Sequence, residues 1–133
     1  MNFDRHYFQK MTFTAKQVRQ YLDSAERDAH IAQTSDITEV QFAFAYQALI
    51  KAGITIIASS GYKVRSQPGH HIKIVDALSQ ILGDQNVAIM GDAMRQSRNL
   101  DLYDGGTVIA ESESREYVKF VAGVLKRVQE LIK

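Results

Sequence analysis

The stretch DITEVQFAFAYQALIKAGITII, Asp36 to Ile57, decides the fold. Asp36, followed three positions later by Glu39, has the form of a capping box and predicts a helix start. From Val40 through Phe42, Phe44, Tyr46, Leu49, Ile50 and Ile54 to Ile57 the apolar residues fall nearly all round that helix. A helix with no polar face is one covered by others, so this is the expected central helix. Ala43, Ala45, Ala48 and Ala52 are small enough to admit close neighbours. Gly53 reads as an internal weak point costing about 1 kcal/mol relative to alanine. Ser59, Ser60 and Gly61 end the helix.

Toward the N-terminus, Val18, Leu22, Ala25, Ala29 and Ala32 alternate steps of four and three, the seam of a packed helix that Thr12 or Thr14 caps. Asp23, Glu26, Arg27 and Asp28 fall off that seam and read as a solvated face. Residues 1–11 have no period; they read as an arm whose Phe3, Tyr7 and Phe8 pack on the body, with its role open.

Toward the C-terminus, Pro68 and Gly69 fit a sharp entry into a third helix carrying Ile74, Val75, Leu78, Ile81 and Leu82 as far as Gly83. Asp84 is placed to cap a fourth, with Val87, Met90 and Met94 on one line and Ile89, Ala93, Leu100 and Tyr103 on another, closed by Gly105 and Gly106. After Thr107 to Glu111 a fifth begins near Ser112 and carries Val118, Val121, Leu125, Val128 and Ile132. One proline, no tryptophan and no repeat or linker make this an all-α bundle of about five helices in a single domain, residues 1–133.

A chain of 133 residues buries about two thirds of its unfolded surface and needs no staple. The absence of cysteine removes disulfides, thiolate nucleophiles and cysteine metal sites. Sixteen Lys and Arg against fifteen Asp and Glu leave a net charge of +1, so any attraction to phosphate must be local. The opening MNFDRHYFQK is charged, and no later apolar run is read as approaching the roughly 20 residues of a membrane span. The expected location is therefore cytoplasmic, with no membrane partner. His6, His30, His70 and His71 form no i, i+4 pair and join no carboxylate cluster at ligand spacing, so no metal site is expected. Without a P-loop, Rossmann fingerprint or nucleophile elbow, no cofactor is expected either.

Two stretches carry the chemistry. In MRQSRNLDLYDGG, Met94 to Gly106, Arg95, Asn99 and Tyr103 recur every four residues and form one polar helix stripe, flanked by Arg98 and Asp101. A permanently charged planar guanidinium, an amide and a phenol suit a phosphate or a base; the plainer alternative is a solvated face with Arg98 bonded to Asp101. In GYKVRSQPGHHIK, Gly61 to Lys73, the residues Lys63, Arg65, His70, His71 and Lys73 make the most basic window, with no acidic residue before Asp76. The histidines fall in a helix first turn, where free amides and the dipole favour an anion; alternatively His70 caps locally and the lysines are merely solvated.

The pair Arg98-Asn99 followed by Tyr103 near the end of the fourth helix, together with GYKVRSQPGHH and MRQSRN, resembles the HEPN superfamily in its bacterial form, from the central helix to Gly106. That resemblance implies an up-and-down bundle, often a homodimer with two motifs facing one cleft. It implies metal-independent RNA cleavage in many members, frequently as toxins paired with a nucleotidyltransferase-type antitoxin, and RNA or nucleotide binding without catalysis in others. Catalytic members carry a histidine a few positions after the arginine, whereas this chain has Tyr103 five positions after Arg98. A phenol with a reference pKa of about 10 is a poor base at neutral pH, although it donates a hydrogen bond or stacks on a base.

Three expectations follow. The first is an RNA- or nucleotide-binding module using Arg98, Asn99 and Tyr103, with Arg95, Lys63, Arg65, His70 and His71 around them. The second is a metal-independent endoribonuclease leaving 2′,3′-cyclic phosphate ends, with His70 or His71 moving the proton. The third is a protein-interaction bundle that pairs with a nucleotidyltransferase-type partner.

Overall fold

The computed structural model describes residues 1–103 and 109–132, with residues 100–103 described by backbone alone. Five helices account for most of it: α1 (Ala15–Thr34), α2 (Thr38–Ser59), α3 (His70–Leu82), α4 (Gln85–Tyr103) and α5 (Glu111–Ile132). α2 lies at the centre of the bundle and touches the other four. Its Phe42, Ala45, Tyr46, Ala48, Leu49, Ala52, Ile56 and Ile57 are all buried, whereas Ala43 faces outward. α1 and α5 meet each other against α2, and α3 and α4 form a second pair on it.

Among the described residues one helix is long and apolar enough to cross a membrane: the 22-residue α2, whose most apolar window has a mean hydropathy of 1.4, contrary to the expectation that no apolar run approaches that length. Two thirds of that window (67%) is buried by the other helices, so the same composition serves as core.

The helix ends follow local chemistry in three cases out of four. Thr14 closes a capping box with Gln17, its Oγ1 accepting from Gln17 N at 3.1 Å while Gln17 Oε1 accepts from Thr14 N at 2.8 Å. Asp84 Oδ1 accepts from Asn86 N at 2.9 Å and opens α4, while Oδ2 lies 2.9 Å from Arg127 of α5. Gly83 ends α3 at φ 65°, a left-handed turn suited to glycine. The expected Asp36–Glu39 box does not form: Ile37 holds the cap position of α2 without a side-chain bond. Ser35 is already the C-cap of α1, so too few residues remain for Asp36 to reach the first turn. Ser35 instead bridges the turn, accepting from Gln41 Nε2 at its carbonyl (2.7 Å) and from Ile37 N at its hydroxyl (3.2 Å).

Three further expectations change. Gly53 sits where α3 crosses α2: a Cβ there would collide with the Ile74 side chain and come within 3.1 Å of its carbonyl oxygen, so the missing side chain is what lets the helices approach. Asp28 belongs to no wet face; it is 1% exposed and lies 2.6 Å from Lys51 Nζ across the α1–α2 interface. Ile89, expected on an inward line of α4, is exposed.

The N-terminal arm is tied down by a strand as well as by packing. β1 (Phe8–Lys10) pairs antiparallel with β2 (Tyr62–Val64), in the register Phe8 to Val64, Gln9 to Lys63 and Lys10 to Tyr62. Phe8 is buried, and Phe3 stacks on Tyr62 with ring centres 4.2 Å apart. Strands of three residues are too short to show alternation in sequence, and a pairing between segments this distant in the chain leaves no local mark.

Candidate functional site

The ribbon aims the chain into α3. Gly69 takes φ 80°, which turns the backbone from the basic loop into the helix and puts His70 and His71 in the first turn. Gln67 organises that turn. Its carbonyl accepts from His70 N at 3.1 Å and lies 2.9 Å from His70 Nδ1, and its side-chain amide donates to His6 O at 2.6 Å. A carbonyl only accepts, so His70 Nδ1 carries a proton and Nε2 is the ring nitrogen left outside that bond.

The arm also occupies two basic groups of the window. Arg65 donates from its backbone to Tyr7 O (2.7 Å) and from Nε to Arg5 O (3.2 Å), and Lys73 Nζ lies 4.5 Å from the Tyr7 ring centre. Lys63 is exposed on β2.

The facing wall comes from α4, anchored by the fully buried Met94. Arg95 reaches back to Asp92 Oδ1, at 2.8 Å from Nη2 and 3.3 Å from Nε, while Asp92 Oδ2 accepts from Gln96 at 2.8 Å. The Arg98 guanidinium carbon lies 5.4 Å from the ring centre of Tyr46, a cation–π arrangement. Among the described residues no carboxylate forms an ion pair with Arg98.

Beneath both walls Tyr46, 2% exposed, places its hydroxyl 3.0 Å from His71 Nδ1. Burial pushes the Tyr46 phenol above its usual range, with Arg98 and Arg95 pulling against this and Asp92 adding to it. Burial, then the neighbouring His70 and Arg98, lowers His71 to about 4. Both groups are therefore neutral near pH 7. The phenol is the stronger donor, which assigns the Tyr46 hydrogen to Nδ1 of His71 and the ring proton to Nε2. The two histidine rings stand edge to face with centres 4.6 Å apart.

The result is a cleft of about 450 Å³ with His70 and His71 on one side and Arg95, Arg98 and Asn99 on the other, and among the described residues no acidic side chain in its wall. An anion entering it meets two guanidinium groups, an amide, imidazole and the positive end of α3. Of the residues singled out by sequence, these five come together, whereas Lys63 and Arg65 do not line the cleft. Tyr103 belongs to α4 by its backbone, but its side chain lies outside the described residues, as do Gly105 and Gly106. Among the described residues no three His, Asp or Glu side chains gather as a metal site.

Two residues of the site escaped the sequence reading. Tyr46 was one apolar position among many on α2, although a hydroxyl on so buried a helix requires a partner. Gln67, within a basic loop, carried no signal at all. Compared with protein-family models, curated proteins and solved structures, the chain matches none.

Proposed function

We propose that this protein is a HEPN-like domain that binds RNA or a nucleotide by its phosphate, in the cleft between the first turn of α3 and the Arg95–Asn99 segment of α4. The observation that carries this reading is the convergence of Arg95, Arg98, Asn99, His70 and His71 on one cleft. Arg98 is the principal phosphate ligand, since Arg95 is partly neutralised by Asp92. The reading includes a cytoplasmic setting, expected from the sequence, together with a homodimer and a nucleotidyltransferase-type partner, both carried by the resemblance.

Titrating short RNAs across a salt series tests it. Arg98→Ala weakens binding and makes the dependence of affinity on salt shallower by about one phosphate contact. An unchanged slope refutes the assignment of Arg98 to phosphate.

A second reading is favoured by the His70–Gln67 contact. With Nδ1 committed to a carbonyl, His70 Nε2 is a lone pair suited to take the proton of a ribose 2′-hydroxyl. The 2′-oxygen then attacks the adjacent phosphorus and the 5′-oxygen of the next nucleotide leaves with a proton from solvent water, giving a 2′,3′-cyclic phosphate, with Arg98 stabilising the charge on the phosphate oxygens. His71 is the weaker candidate for the base because its Nδ1 is taken by Tyr46. EDTA-resistant cleavage with cyclic ends that is lost in His70→Ala supports this reading; cleavage undiminished in that variant refutes it.

A further inference from the structure

A smaller cavity of about 90 Å³ adjoins the cleft between α3 and α4 and shares His71, Ile72 and Arg95 with it. Its inner walls are Val75, Ala88 and Gly91, and Gly91 packs so closely on Val75 that a Cβ there would collide with it. Two carboxylates border it, Asp92 and Asp76. Asp92 already accepts three hydrogen bonds from Arg95 and Gln96. Asp76 is half-buried and, among the described residues, forms no ion pair.

Resting on the phosphate-binding reading above, we propose that this cavity is a nucleobase subsite that takes a six-membered ring bearing an exocyclic amino group, of the cytosine type, with Asp76 as the residue that reads the amino group. Size argues for no more than a single ring, and for one only partly enclosed: the space of about 90 Å³ is smaller than the apolar cavity of about 150 Å³ that holds benzene. A six-membered ring enters partway from the open side, and two fused rings do not fit. Polarity argues for the amino group. The apolar walls accept the ring faces, the His71 imidazole offers an aromatic surface, and the acceptor with capacity to spare is the Asp76 carboxylate. Cytosine presents an N4 amino donor where uracil presents the O4 acceptor, which a carboxylate repels. The shared Arg95 and His71 join the two spaces, so one nucleotide fills both, its phosphate in the cleft and its base in the cavity.

Calorimetric titration with CMP, UMP and ribose 5-phosphate tests this. The wild-type protein binds CMP about tenfold more tightly than UMP or the baseless sugar phosphate, and the nearly isosteric Asp76→Asn brings CMP and UMP to within about twofold of each other. Equal affinity for CMP and UMP in the wild type overturns the subsite. A CMP preference that survives in Asp76→Asn overturns the role of Asp76. In both cases Arg98-dependent binding of the phosphate persists and the cleft reading stands. Failure of all three ligands and of RNA to bind overturns the cleft reading, and the subsite with it.

Discussion

The hydroxyl of Tyr46 and Nδ1 of His71 lie 3.0 Å apart, joining the central helix to the first turn of α3 directly beneath the cleft. The contact satisfies a phenol that is 2% exposed and fixes an imidazole ring that forms part of the cleft wall. Because Arg98 lies over the same phenol ring, one residue of α2 sets the spacing of both walls.

A pH dependence follows from this pair. In the folded protein His71 is lowered to about 4 from its ordinary value of 6.5. Between those values the unfolded chain takes up a proton that the folded one refuses, so the stability His71 contributes is full above pH 6.5 and is lost as pH falls toward 4. His71→Gln keeps an amide that bonds the Tyr46 hydroxyl but does not titrate. Thermal melts from pH 7 to pH 4 should fall more steeply for the wild type than for this variant. Parallel curves would show that the His71 proton is not linked to folding.

The helices were legible because their signal is local. The all-round apolar pattern of α2 and the seam of α1 need no knowledge of their partners, and Thr14 and Asp84 cap from within a turn of their own positions. What sequence could not show depends on distant pairs. Asp28 is buried because Lys51 faces it from the next helix, and Gly53 is required because Ile74 crosses there. The candidate site divides in the same way: the residue types of both walls stood out, but their meeting in one cleft, and the support from Tyr46 and Gln67, came only from the packing of α2, α3 and the arm.

The arm holds the turn that carries His70. Gln67 is held by His6 O at 2.6 Å and in turn holds His70 through its carbonyl. Gln67→Ala removes the tether to the arm while leaving the backbone carbonyl in place. It should weaken phosphate binding several-fold through loss of preorganisation, with a melting temperature close to the wild type. Unchanged affinity would show that the turn holds its shape without the arm.

Gly53→Ala sets two effects against each other. Alanine favours the helix by about 1 kcal/mol relative to glycine. The added methyl runs into the Ile74 side chain and comes within 3.1 Å of its backbone oxygen, and overpacking of this kind costs about 1–3 kcal/mol. Backbone cannot yield as a flexible side chain can, so the steric effect should win. Urea unfolding should show a net loss of up to about 2 kcal/mol, and a stabilised variant would refute the close crossing of α2 and α3.

The buried pair of Asp28 and Lys51 gives the last test. Asp28 Oδ2 is enclosed and lacks a hydrogen bond of acceptable angle, so its stabilisation comes from the ammonium 2.6 Å away. Lys51→Met keeps the length and apolar stem of the side chain but leaves the carboxylate buried without a counter-charge. Loss of one partner in a buried pair costs about 3–5 kcal/mol, and the lower end is expected because the Lys51 side chain is 34% exposed and water already shares in its solvation. Replacing both residues, in Asp28→Leu with Lys51→Met, removes the stranded charge and should recover most of that loss. Denaturant unfolding of the two single variants and the double variant gives the coupling directly. Additive losses would mean that the two charges do not stabilise one another, and that α1 and α2 are held by their alanine seam alone.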